Sequence, residues 1–167
     1  QLDSSLTGFF VLYADGSAGI CNSKGKIVIP SHYEAYKYLG EGMVGCRNGN
    51  FWALADTTGR MITAPVFEGL KPFSEHYAAA EQNALWGFIR KNGKFIIQPQ
   101  YRVVGKFVDH LAYAYVSLNS YVLDTLGHIK FTFDKGAMSY MGYSEGKFLI
   151  GKLNSRREIE KQFFMTR

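Results

Sequence analysis

Two histidines, the acids beside them and a scatter of basic turn residues are where this sequence could do chemistry. His76 and His110 stand 34 residues apart, directly preceded by Glu75 and Asp109. Imidazole and carboxylate together are the ordinary material of a metal site or an acid–base pair. Elements that stacked the two segments would bring His76 and His110 into range as a weak metal alternative. Neighbouring positions of a strand or turn point in different directions, however, and the same position carries Gly8 and Gly42 elsewhere. The pair therefore reads first as turn residues that accept Gly or His. No Ser, His and acid combination has the context of nucleophilic catalysis, and no Cys and His spacing suits zinc. The glycine-rich Gly40–Gly45 stretch lacks the helix and Lys of a phosphate loop. The expectation is a protein that is no enzyme, with no catalytic residue, no metal and no cofactor.

A second group is cationic. Lys24, Lys26, Arg60, Arg90, Lys91, Lys94, His128 and Lys130 all fall within three residues of Gly25, Gly59, Gly93 or Gly127. Turns stacked in register would line them up as a basic edge able to dock an anionic partner. Solubility alone also asks turns to be polar, and Asp56 and Asp124 interrupt the series. Tyrosines are a third group: Tyr33, Tyr36, Tyr38, Tyr113, Tyr115, Tyr121, Tyr140 and Tyr143. On a rigid sheet they would suit protein or glycan recognition, or else pair across strands.

These residues are positioned by a repeat. The four glycines Gly25, Gly59, Gly93 and Gly127 are each 34 residues from the next. Three residues before each come Asn22, Asp56, Arg90 and Asp124; two after come Ile27, Met61, Phe95 and Ile129. Tyr33, Phe67 and Tyr101 share another column, as do Leu39, Phe73 and Phe107, and Glu41, Glu75 and Asp109. Fixed-period self-similarity across so many columns is the signature of a repeat architecture.

A 34-residue period also belongs to helix-pair repeats, but those need helical spacing over about a dozen residues per segment. Here the apolar runs are short and cut by Gly, Asn and Pro, with Asn48-Gly49 and Asn92-Gly93 as hairpin signals. In the third copy, Tyr77 to Glu81 and Leu85 to Ile89 read as two strands. Lys94 to Ile97 reads as a third, stopped by Pro99, with Tyr101 to Val104 as a short fourth. The glycine closes the second turn at positive φ, and the Asn or Asp before it bonds back to the backbone. The fold expected is all-β: tandem 34-residue antiparallel hairpin or meander units in an elongated array, with a closed or propeller-like arrangement as the alternative. One domain spans 1–167, with units at 8–41, 42–75, 76–109, 110–143 and a partial, capping unit at 144–167. The segment Arg156 to Phe164 reads equally well as helix or strand.

The third copy, from Leu85-Trp86-Gly87-Phe88-Ile89 through Gly93 to Pro99 and Tyr101, resembles the bacterial WG-repeat family. The second copy keeps Trp52 and loses the Gly, the first keeps Gly19 and loses the Trp, and the fourth keeps neither. The resemblance implies an all-β repeat array, often exported, with Gly25, Gly59, Gly93, Gly127, Trp52 and Trp86 in structural roles. It implies no reaction.

Composition agrees with strands: 16% of residues are aromatic and 18 are Gly. A net charge of +5 permits nucleic-acid contact without requiring it, and no apolar run is long enough for a membrane helix. Cys21 and Cys46 are too few for a disulfide framework and read as buried small hydrophobes, although a single bridge is open. The start at Gln1-Leu2-Asp3-Ser4-Ser5 fits a removed leader, and so a secreted, periplasmic or cell-surface location, or a boundary set otherwise. The function expected is a binding or scaffolding module for a protein or glycan partner. An immunity or inhibitor protein of a bacterial toxin, a hydrolase or metal-dependent enzyme, and a nucleic-acid binder are the alternatives.

Overall fold

The computed structural model describes residues 9–14, 17–22, 24–117, 119–133, 140–144, 147–153 and 159–165. The readings made at Gln1–Ser5, Gly8 and Arg156–Arg157, and those of the Tyr140 and Tyr143 side chains, lie outside the described residues.

Every regular element among the described residues is a strand, and the strands form five antiparallel sheets in chain order. The first sheet holds Phe9–Ala14 (β1), Ser17–Asn22 (β2) and Ile27–Tyr33 (β3); the second holds Ala35–Gly40 (β4), Met43–Asn48 (β5) and Phe51–Asp56 (β6). The third has four strands, Gly69–Leu70 (β7), Tyr77–Gln82 (β8), Leu85–Arg90 (β9) and Phe95–Tyr101 (β10). The fourth also has four, Val103–Val104 (β11), Leu111–Val116 (β12), Asn119–Asp124 (β13) and Ile129–Phe133 (β14). The fifth comprises Tyr140–Ser144 (β15), Lys147–Leu153 (β16) and Ile159–Met165 (β17), so the undecided C-terminal segment is a strand from Ile159.

Two details differ from the sequence expectation. Tyr101 and Val104 do not belong to one strand: Val103 and Val104 pair with Tyr115 and Ala114, so they open the next sheet. The second, third and fourth sheets thus take their first strands, β4, β7 and β11, from the end of the preceding 34-residue unit. Pro99 does not stop its strand either, because β10 is the outer strand and shifts register between Ile97 and Tyr101. An edge position leaves the missing proline N–H without a ladder partner to disappoint.

The core lies between consecutive sheets. Ile20 and Ile29 of the first sheet pack with Val44, Cys46, Ala53 and Ala55 of the second. Leu39, Met43, Leu54 and Phe67 pack with Leu70, Phe73, Ala78, Ala80 and Ile89. Ala79, Phe88, Ile97 and Tyr101 pack with Val104, Phe107, Ala112, Ala114 and Leu123. Alternation along a strand sends Ala78 and Ala80 to one neighbour and Ala79 to the other. Central strands are therefore apolar on both faces, and their alanines let the sheets approach. Phe107 fills the gap that remains, its ring centre 4.7 Å from that of Phe88 and 5.1 Å from that of Tyr77. Cys21 and Cys46 are buried and unbridged, and burial pushes the Cys46 thiol up to about 12.

Candidate functional site on the turn edge

In a meander the first and third turns emerge at the same end of the strands. Here that edge carries the turns at 41–42, 75–76 and 109–110, and those at 57–60, 91–94 and 125–128. Contact between the two sets is direct: Thr57 N–H donates to the Gly42 carbonyl at 3.0 Å.

The first set are two-residue turns with both residues left-handed: Glu41 and Gly42 (φ 51 and 78), Glu75 and His76 (53 and 71), Asp109 and His110 (48 and 64). This is the turn geometry that matches strand twist, and it explains why Gly and His exchange at the second position. His76 and His110 are each bound to the acid of the preceding sheet. Glu41 Oε1 accepts from His76 N–H at 3.1 Å, and Glu41 Oε2 lies 3.0 Å from His76 Nδ1. Glu75 Oε2 accepts from His110 N–H at 2.8 Å, with His110 Nδ1 at 3.3 Å. Each acid thus fastens one sheet to the next. No group of three or more His, Cys, Asp or Glu able to hold a metal occurs among the described residues.

The second set carries the repeating glycines, at φ 76 (Gly25), 93 (Gly59), 75 (Gly93) and 87 (Gly127). A side chain would meet the preceding 34-residue unit at three of them: the Val28 oxygen at Gly59, Thr63 at Gly93 and Ile97 at Gly127. The Asn or Asp column caps the same turns. Asn22 Oδ1 accepts from Lys24 and Lys26 N–H, both at 3.0 Å. Asp56 Oδ1 accepts from Thr58 and Arg60 N–H at 3.0 and 3.1 Å, and Asp124 Oδ1 from Leu126 and His128 N–H at 2.9 Å each. Burial alone would raise the carboxyls of Glu41, Asp56 and Asp124; the hydrogen bonds and cations around them outweigh it and hold all three below the usual range.

Arg60, Lys91, Lys94 and His128 lie in these turns, with acids among them. Arg60 pairs with Asp56 at 3.2 Å, Lys91 with Glu41 at 3.0 Å and His128 with Asp124 at 3.1 Å. Among the described residues Lys24, Lys26, Arg90, Lys94 and Lys130 form no ion pair. Arg90 instead lies over the Tyr77 ring, 5.9 Å from its centre. An open pocket of about 400 Å³ beside it is lined by His76, Tyr77, Arg90, Lys91 and Asn92.

The tryptophans do not join this edge. Lys37 Nζ lies 4.0 Å from the Trp52 ring centre and donates to the Leu70 carbonyl at 2.6 Å. Lys71 repeats the contact, 4.7 Å from the Trp86 ring centre and 2.7 Å from the Val104 carbonyl. These lysines escaped the sequence reading, although a signal was present: Lys37 and Lys71 become Gly105 where Trp52 and Trp86 become Ser120. Gly87 has its own reason, since a side chain there would strike the backbone of Ile97–Pro99. The tyrosines Tyr33, Tyr36 and Tyr38 are half-buried against the first core layer, and Tyr77 and Tyr121 against the third.

Likeness to known proteins follows the same geometry. The chain resembles the structure of a eukaryotic initiation factor at 15% identity and a TM-score of 0.60, covering 97% of this chain and 53% of that one. It resembles Hsv2p of Kluyveromyces lactis at 14% identity and a TM-score of 0.53, covering 87% of this chain and 56% of that one. It spans about half the length of these solved structures, both propeller-like β folds, and the likeness is one of fold. No curated protein matches the sequence. A model of the WG containing repeat matches residues 19–50, 52–86 and 86–120, more than half of the chain. With the glycines, the Trp86-Gly87 pair and the stacked sheets all accounted for, the chain belongs to the WG-containing repeat family.

Proposed function

We propose that this chain is a non-enzymatic binding or scaffolding module that presents its turn edge to a protein or glycan partner. The observation that carries the reading is the state of the edge's acids and histidines. Glu41 and Glu75 are bound to the next sheet, and Asp56 and Asp124 to their own turns. Groups fixed in this way make a stiff surface whose contacts need little ordering on binding. The same bonds commit the Glu41 and Glu75 carboxylates to holding one sheet against the next. No helix among the described residues is long and apolar enough to cross a membrane.

A toxin-immunity or inhibitory role is the narrow form of this proposal, with one tight partner. Nucleic acid is less well supported, because acids alternate with the cations along the edge. An exported location belongs to the reading through the family resemblance, and fractionation of the native cells tests it. For the binding role, the full chain is immobilised and exposed to native extract and to a glycan array. A stoichiometric ligand lost on Lys91→Ala and Lys94→Ala supports it. Turnover of ester, peptide or phosphate model substrates that disappears on His76→Ala would overturn it.

A further inference from the structure

The third sheet departs from its neighbours at one turn. Three residues before the glycine, the first, second and fourth sheets place Asn22, Asp56 and Asp124, which accept backbone N–H groups within their own turns. The third places Arg90, and the cap passes to Asn92, whose Oδ1 accepts from Lys94 N–H at 3.1 Å. A residue that gives up its turn's cap is not explained by the turn. Its guanidinium lies over Tyr77 and lines the pocket with His76, Lys91 and Asn92.

The charges around that pocket are unequal. Glu41 takes both Lys91 Nζ and His76 Nδ1 at 3.0 Å, so the Lys91 charge is already answered. A carboxylate only accepts, so His76 carries its proton on Nδ1 and has Nε2 left over. Arg90 has no carboxylate among the described residues. Asn92 uses its oxygen on Lys94 and keeps two amide donors. A guanidinium fork, an amide donor and an aromatic wall together suit a planar carboxylate. One unanswered positive charge suits a single carboxylate better than a polyanion.

We propose that the Arg90 pocket is a carboxylate-binding site, filled by the side chain of an acidic residue of a protein partner. This deepens the binding reading above and rests on it. The test uses the full isotope-labelled chain, N-acetyl-glutamyl amide as the carboxylate probe, and inorganic phosphate and chloride at matched ionic strength. The glutamyl probe should shift the Arg90 Nε–H and the His76 and Asn92 amide signals saturably, and more tightly than phosphate does. Arg90→Asn, which restores the residue type of the other turns, should abolish those shifts while leaving the rest of the spectrum folded. Arg90→Lys, keeping the charge without the fork, should weaken them several-fold. Absence of saturable shifts, equal shifts in Arg90→Asn, or tighter binding of phosphate would each overturn the assignment. A protein partner held equally by wild type and Arg90→Asn would sink the pocket and leave the wider binding role intact.

Discussion

The ammonium of Lys71 sits 4.7 Å from the centre of the Trp86 ring while donating to the Val104 carbonyl at 2.7 Å, so one charge joins two sheets. Lys37 does the same from Trp52 to Leu70. Where Trp gives way to Ser120, the lysine gives way to Gly105, and the clamp is absent as a whole. Removing only the ammonium, in Lys71→Met, keeps the stem but leaves a shielded carbonyl without its donor. The expected cost is about 1–3 kcal/mol, read from urea unfolding. A double-mutant cycle with Trp86→Leu should give a coupling of about 0.5–2 kcal/mol; additive losses would refute the clamp.

The same lysine has an alkaline signature. Burial holds Lys37 and Lys71 below the usual lysine value, with Glu81 pulling Lys71 partly back. The folded chain then binds fewer protons than the unfolded chain between the folded value and about 10.4, so this contribution to stability rises with pH. Tyr36 and Tyr101, held above the usual range by burial first and neighbouring groups second, act oppositely as pH passes about 10. The lysine part is therefore read as a difference: the deficit of Lys71→Met against wild type should widen as pH rises through the lowered folded value toward about 10. A constant deficit would show that the ammonium carries no burial penalty.

On the acid side Glu41, Asp56 and Asp124 are held below the usual carboxylate range, burial opposing and the surrounding donors prevailing. Their stabilisation is complete above the unfolded value near 4 and fades as pH falls through the folded values. Glu41→Gln keeps an acceptor for the His76 N–H and loses the charge that meets Lys91. It should cost about 0.5–1 kcal/mol at neutral pH, with the gap to wild type closing as pH falls below about 4 and through the lowered folded value. A gap that persists in acid would mean the cost is packing rather than charge.

Gly25 and Gly59 separate two reasons for one column. Both are left-handed, at φ 76 and 93, but a side chain at Gly25 meets open space and one at Gly59 meets the Val28 oxygen. Gly25→Ala should cost about 1–2 kcal/mol from backbone conformation alone. Gly59→Ala should exceed it by a further 1–3 kcal/mol or so, because the first and second sheets must part. Gly25→Asn should recover most of its loss, since Asn tolerates the left-handed region; Gly59→Asn should not. Equal losses at the two sites would refute the inter-sheet contact.

Features confined to one 34-residue unit were legible, and features that cross units were not. The glycine turns, the Asn22, Asp56 and Asp124 caps, and the buried Leu39, Phe73 and Phe107 column all follow from spacing and residue type. The partner of Glu41 is His76, 35 residues away, while the sequence sets Glu75 beside His76, where the two join a turn without bonding each other. Val103 and Val104 looked like the end of a unit because nothing local reports that their ladder partners, Tyr115 and Ala114, lie beyond the next turn. Pro99 looked like a stop because edge position depends on the finished sheet.

Arg90→Asn bears on that boundary between local and non-local roles. By local chemistry Asn at 90 regains the side-chain cap that Asn22 supplies at 3.0 Å to Lys24 and Lys26, sharing the Lys94 N–H with Asn92, a gain of about 0.5–1 kcal/mol. It also gives up the guanidinium over Tyr77, worth about 0.5–1 kcal/mol at an exposed site. The two nearly cancel, so the urea midpoint should stay close to that of wild type. Arg90→Ala, which loses the ring contact and gains no cap, should be the less stable of the two. Were Arg90 there for stability, both variants would fall together, and the departure from the Asn and Asp column would need no ligand to explain it.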